Sequence, residues 1–174
     1  GHVSVDAQDS RPPQVAVVGR GAPDPGAEAL AEEVGRRLAS AGARVVCGGL
    51  GGVMAVVAKG AREAGGEVIG IVPGTEPADA NPYCTHVVAT GIGKARNLAV
   101  VASGDAVIAV GGEWGTLSEI AYARHFGRPV IALGSWRVEP HAPIAGGPGI
   151  EEADTPERAV ALALSAIGRG AASL

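Results

Sequence analysis

The sequence predicts one α/β domain: a Rossmann-like, doubly wound, mostly parallel sheet with helices on both faces. Three observations carry that expectation. Short β-branched runs alternate with longer segments of helical spacing from Gln14 onward. The runs are apolar throughout, as strands covered on both faces must be. The regular strand–helix–strand repetition calls for right-handed crossovers, which lay successive strands parallel.

Each element follows from its own residues. "QVAVVG" (14–19) is a buried strand ending in glycine. Asp24-Pro25 supplies an N-cap and a first-turn proline, and Ala29, Leu30, Val34 and Leu38 keep helical spacing until Gly42. "ARVVCGG" (43–49) is the second strand, followed by a helix from about Gly52 to Ala64. "GEVIGIVPG" (66–74) is the third strand. The polar segment "TEPADANPYCT" (75–85), with two prolines, predicts a loop over a site, with Asn81 and Tyr83 as minor candidates. "HVVAT" (86–90) is a short strand, and a helix runs from about Lys94 to Ala102. "DAVIAVGG" (105–112) leads into a helix from Thr116 to about Phe126, and "PVIAL" (129–133) is the last strand expected. Residues 134–149 read as irregular, and Thr155-Pro156-Glu157 opens a closing helix to about Ile167. The domain is set at 14–168. A polar segment at 1–13 is expected to be disordered, with Gly1-His2 a tag remnant or trimmed start, and 169–174 is expected to be a tail.

Composition narrows the function. The formal charge of -4 provides no basic footprint, so binding to nucleic acid through phosphate neutralisation is not expected. Only Lys59 and Lys94 stand against twelve arginines, a ratio read first as coding bias. Cys47 and Cys84 lack CxxC or Cys/His spacing, which predicts free thiols in a reducing cytoplasm and no structural zinc. No apolar run has the length to span a membrane. The 47% hydrophobic content is mostly Ala and Val with 3% aromatics, so closely packed elements joined by tight glycine turns are expected.

In a doubly wound sheet, ligands sit at the carboxyl ends of the strands near the switch in strand order. The turns to inspect are therefore 19–24, 47–52, 72–82 and 111–116. Gly48-Gly49-Leu50-Gly51-Gly52 has the context of a dinucleotide fingerprint but the wrong spacing, since the third glycine read from Gly49 is Met54. "GIGKAR" (91–96) lacks the upstream glycine and the hydroxyl residue of a P-loop. Both clusters still bring backbone amides to helix starts, where the dipole favours an anion. Candidate phosphate contacts are Gly19, Arg20, Gly49, Gly51 and Gly52, together with the turn from Gly111 to Thr116.

Three stretches, "GGLGGVMAVVAKGAREAGGEVIGIVPG" (48–74), "TGIGKARN" (90–97) and "GGEWGTLSEIAYA" (111–123), together resemble the Lonely Guy/lysine-decarboxylase-like (SLOG) superfamily. The likeness spans roughly Val15 to Leu133 and is nearest the branch of bacterial proteins similar to the molybdenum-cofactor carrier protein of algae. Lonely Guy enzymes carry PGGxGTxxE and an arginine on the preceding helix, and cleave the N-glycosidic bond of nucleoside 5'-monophosphates. The resemblance maps Gly115, Thr116 and Glu119 onto that motif and Arg96 onto the arginine, implying Arg96 and Glu119 as catalytic candidates. It adds Gly111, Gly112, Glu113, Trp114 and Asn97 to the binding set. Three positions depart: Gly111 replaces the family's proline, Glu113 its second glycine, and Asn97 its usual lysine.

What the resemblance implies is a phosphorylated nucleotide-like ligand, hydrolysed as a phosphoribohydrolase does, or else carried or sensed, with the molybdenum cofactor as a ligand of the carrier. No resident cofactor is implied, and pyridoxal phosphate is not expected, since neither lysine has a Schiff-base context. A homodimer or larger homo-oligomer is implied too, checkable by light scattering.

Each candidate has a second reading from its residues alone. Thr116 and Glu119 fit a capping box, which would leave Glu119 no free carboxylate. Arg96 near a helix start is unfavourable against the dipole unless an anion or a carboxylate is near. Arg20 is a phosphate clamp or a solvated loop residue. Trp114 stacks on a base or, the preferred reading, packs beneath its loop. His86 and His125 read as structural, with no metal cluster.

Overall fold

The computed structural model describes residues 11–172, with side chains up to residue 168. The element order is β1 (Gln14–Gly19), α1 (Pro25–Ser40), β2 (Arg44–Cys47), α2 (Val53–Glu63), β3 (Val68–Val72), β4 (His86–Ala89), α3 (Arg96–Ser103), β5 (Ala106–Val110), α4 (Trp114–His125), β6 (Val130–Leu133), β7 (Ile150–Ala153) and α5 (Pro156–Ala172). Seven parallel strands form one sheet in the order β4-β3-β2-β1-β5-β6-β7. The sheet is thus wholly rather than mostly parallel. Its order reverses between β1 and β5, which pair from Val15↔Ala106 to Gly19↔Val110.

Alternate strand residues feed two cores. Val15, Val17, Val45, Ile108 and Ile131 face α1, α2 and α5; Ala16, Val18, Val46, Val107 and Ala109 face α3 and α4. With so few aromatic rings, density comes from close approach of backbones. Gly35 of α1 and Gly60 of α2 meet across that helix pair: a Cβ on Gly60 would overlap the carbonyl oxygen of Glu32, and one on Gly35 that of Val57.

The structure adds one element to the expected order, the edge strand β7. Its pattern is Ile150-Glu151-Glu152-Ala153 with both glutamates exposed, an edge protected by charge and not a buried apolar run. Helix α5 extends five residues past the expected Ile167, so the backbone of the expected tail at 169–174 is helical as far as Ala172. Residues 1–10 of the expected disordered segment lie outside the described residues. Arg11 and Pro13 are fastened at the β1–β5 seam and on β2: Arg11 pairs with Asp105 at 2.8 Å, and Pro13 accepts from the Arg44 amide. Among the described residues no helix is long and apolar enough to cross a membrane.

Candidate functional site

Helix α4 begins at Trp114, two residues earlier than expected, with Glu113 in the cap position and no side chain capping it. Thr116 therefore stands inside the first turn and Glu119 in the second. The capping-box reading fails for that reason: neither side chain is at the cap. Thr116 is instead buried under the turn, and a Cβ on Gly112 would overlap it. Gly112 holds φ +96, a conformation that side-chain-bearing residues rarely adopt.

The first bond of the helix ladder runs from Leu117 N–H to Glu113 O at 3.1 Å. The amides of Trp114, Gly115 and Thr116 thus lead an α-helix with the usual unpaired donors of its first turn. Above Gly115 there is nothing: an added Cβ would meet no atom within 4 Å. The turn is held in place by the segment that follows β6. Ser135 Oγ donates to the Gly111 carbonyl, and Trp136 Nε1 donates to the Glu113 carbonyl at 2.9 Å.

Arg96, the first residue of α3, is one of two buried polar side chains among the described residues. Its Nε donates to Ile71 O at 2.9 Å and its Nη2 to Gly48 O at 3.3 Å, the carboxyl ends of β3 and β2. Gly48 makes room for it, since a Cβ there would lie 2.5 Å from Met54 Sδ and 2.9 Å from Arg96 Nη2. The salt-bridge reading of Arg96 does not hold: its acceptors are two backbone carbonyls and Met54 Sδ at 3.7 Å, and Glu119 attracts it from beyond ion-pair distance.

Glu119 reaches the same space from α4. Its Oε2 is buried with no hydrogen-bond partner. Burial pushes its pKa from 4.5 up to about 7, with Arg96 pulling the other way. A cleft of about 230 Å³ lies between Gly19, Gly48, Met54, Arg96, Asn97 and Glu119. Asn97 and Glu119 also line a wider hollow of about 690 Å³, open to solvent, with Lys94, Gly115 and Tyr122. The cleft sits over the end of β1 at the strand-order reversal, and the wider hollow lies beside it between α3 and α4.

The pKa shift has a stability consequence. The folded state holds the Glu119 proton up to about pH 7, the unfolded chain only to about 4.5. The stabilisation from that proton is complete below pH 4.5 and is lost as pH rises through about 7. Glu119→Gln should therefore melt with the wild type at pH 4 but be more stable at pH 8, by about 2–3 kcal/mol. An equal difference at both pH values would refute this.

The remaining candidates separate. Arg20 faces Glu113 at 3.4 Å, so it is not simply a solvated loop residue. Trp114 is 75% exposed, not packed beneath its loop, and leans on Trp136 with ring centroids 5.1 Å apart. Gly49 and Gly52 are packing positions: a Cβ would lie 2.7 Å from Val72 Cγ1 in one case and 2.6 Å from Gly21 O in the other. Gly51 lies in the same turn, apart from the cleft. Asn81 knits the 75–85 loop down, with its amide on Gly49 O and its side chain on Leu50 O; Tyr83 packs against the core. Among the described residues no cluster of three or more His, Cys, Asp or Glu could hold a metal ion. Met54, Ser135 and Trp136 carry no motif signal of their own, and only its place after the glycine turn sets Met54 apart in the sequence.

A family model described as the SLOG cluster4 family matches residues 12–160. The chain belongs to the SLOG cluster4 family. A member-like relative, an uncharacterized protein of Archaeoglobus fulgidus, is 40% identical over 87% of this chain and 95% of its own. Two solved structures resemble this SLOG chain closely. The molybdenum cofactor binding protein of the phototrophic bacterium Rippkaea orientalis is 31% identical with a TM-score of 0.81, covering 91% of this chain and 99% of that one. The molybdenum cofactor carrier protein of Chlamydomonas reinhardtii is 30% identical with a TM-score of 0.78, over the same shares. The SLOG assignment agrees with the resemblance carried by 48–74, 90–97 and 111–123.

Proposed function

We propose that the chain binds a phosphorylated, nucleotide-like ligand at the carboxyl edge of the sheet and carries it, with a molybdopterin-type cofactor as the ligand class. The open first turn of α4 is the observation that carries this reading. Its amides and the helix dipole suit a phosphate, and nothing stands over Gly115. Gly111, Gly112, Gly115 and Thr116 would hold the phosphate, while Asn97, Glu119 and the wall of the hollow would hold the ring system. The two structural neighbours, one a molybdenum cofactor binding protein and the other a molybdenum cofactor carrier protein, support this reading. The test is calorimetric titration with AMP and with cofactor released from a molybdoenzyme. Tighter binding of the released cofactor is expected, and no heat from either would sink the proposal.

A second reading rests on Glu119, whose carboxyl is spared from capping and sits beside Arg96. Such a group suits general acid/base work near neutral pH. Under this reading Glu119 activates water or steadies an oxocarbenium-like ribose. A panel of nucleoside 5'-monophosphates should then release free base, and Glu119→Gln should abolish the release. No base at high enzyme concentration leaves only the carrier.

Glu113 bears on both readings, because its carboxylate occupies Arg20 and repels an incoming phosphate. Glu113→Gln is expected to tighten AMP binding roughly three- to ten-fold at low salt and less at high salt. Unchanged or weaker binding would show that the Arg20–Glu113 pair supports the turn.

A further inference from the structure

Cys47 and Cys84, far apart in the chain, share one place in the fold. Cys47 ends β2 and is fully buried. Its register partner across β2–β3 is Gly70, so the two side-chain directions fall on the same face about 4.8 Å apart. Gly70 has no side chain, and Cys84 fills the gap: its Sγ lies 2.5 Å from where a Gly70 Cβ would be. The thiol of the 75–85 loop is therefore inserted beside Cys47, within reach of its sulfur. Its other polar neighbour is Asn81 Oδ1, which accepts from Cys84 Sγ at 3.6 Å.

We propose that Cys47 and Cys84 form a peroxide-reactive dithiol, a modification site that closes to an intrachain disulfide. The chemistry needs one hydroperoxide. The half-buried Cys84, as thiolate, attacks the peroxide oxygen, breaks the O–O bond and becomes a sulfenic acid, releasing hydroxide or an alkoxide. Cys47 then attacks the Cys84 sulfur, the S–O bond breaks, and the oxygen leaves as water with the Cys47 proton. Two thiols lose two electrons and the peroxide gains them. The roles are asymmetric because contact with Cys47 favours the Cys84 thiolate, whereas contact with Cys84 and burial disfavour ionisation of Cys47.

The bond would fasten the 75–85 loop to the end of β2, where Asn81 already holds Gly49 and Leu50. It requires no ligand and stands apart from the carrier reading.

The test treats the reduced full chain with hydrogen peroxide, alkylates the remaining thiols, and maps peptides by mass spectrometry. The expected result is a single intrachain cross-link between the Cys47 and Cys84 peptides. A thiol reductant should reverse it, and the melting temperature should rise by roughly 5 °C. Cys47→Ser should leave Cys84 as a sulfenic or sulfinic acid without cross-link, whereas the wild-type map stands whether or not that variant folds. Two alkylatable thiols after treatment, or cross-links only between chains, would overturn the proposal.

Discussion

Gly60→Ala is expected to destabilise the protein by about 3 kcal/mol, although alanine is the better helix former. Two effects oppose each other at this position. Helix propensity favours alanine by about 1 kcal/mol in a helix interior. Against it, the new methyl would overlap the Glu32 carbonyl and sit 3.2 Å from Arg36 N, and a backbone obstacle cannot rotate away. Overpacking of that kind costs about 1–3 kcal/mol when neighbours can adjust, and more when they cannot. The steric cost wins, and a chain of this size should lose roughly 6–12 °C of melting temperature. Gly26→Ala is the control, since its Cβ would approach nothing nearer than Asp24 Oδ1 at 3.9 Å. If both variants melt with the wild type, α1 and α2 are not packed backbone to backbone.

Gly115→Asp is expected to do the reverse, leaving stability intact while removing ligand binding. A side chain here meets open space, and an acid in the first turn of α4 is favourable against the dipole by about 0.3–1 kcal/mol. The same carboxylate would stand where the proposed phosphate needs its amides, so binding of AMP or the released cofactor should fall by at least roughly 100-fold. Calorimetry and a thermal melt on one sample decide it. Retained affinity would move the phosphate away from this turn, and a lowered melting temperature would mean the site is structural.

Much of this architecture was legible in the residues. β-Branched runs ending in glycine marked the buried strands, and Asp24-Pro25 marked the start of α1 with its side chain on the Ala27 amide. The glycine turn at 111–115 was placed correctly at the carboxyl edge. The start of α4 was not legible, because Thr116 and Glu119 imitate a capping box while the chain begins its helix two residues sooner. Strand β7 escaped because a charged edge strand has no apolar run to announce it. The anchoring of Arg96 escaped for a different reason: its acceptors are the carbonyls of Ile71 and Gly48, and a carbonyl carries no residue identity. The meeting of Cys47 with Cys84 depended on the absent side chain at Gly70, which only strand register reveals.

The reversal between β1 and β5 also orders events in time. Gly19, Gly48 and Arg96 come from segments synthesised before β5, and Glu119 from one synthesised after it. A chain emerging from the ribosome can lay β1 beside β2, yet the cleft has no second wall until β5 joins β1 and brings α4 with it. Parallel pairing at such sequence distance is slow to find. A nascent or clipped molecule that stops before α4 therefore presents only the first wall of the cleft, and the proposed site becomes complete only when β5 and α4 are in place.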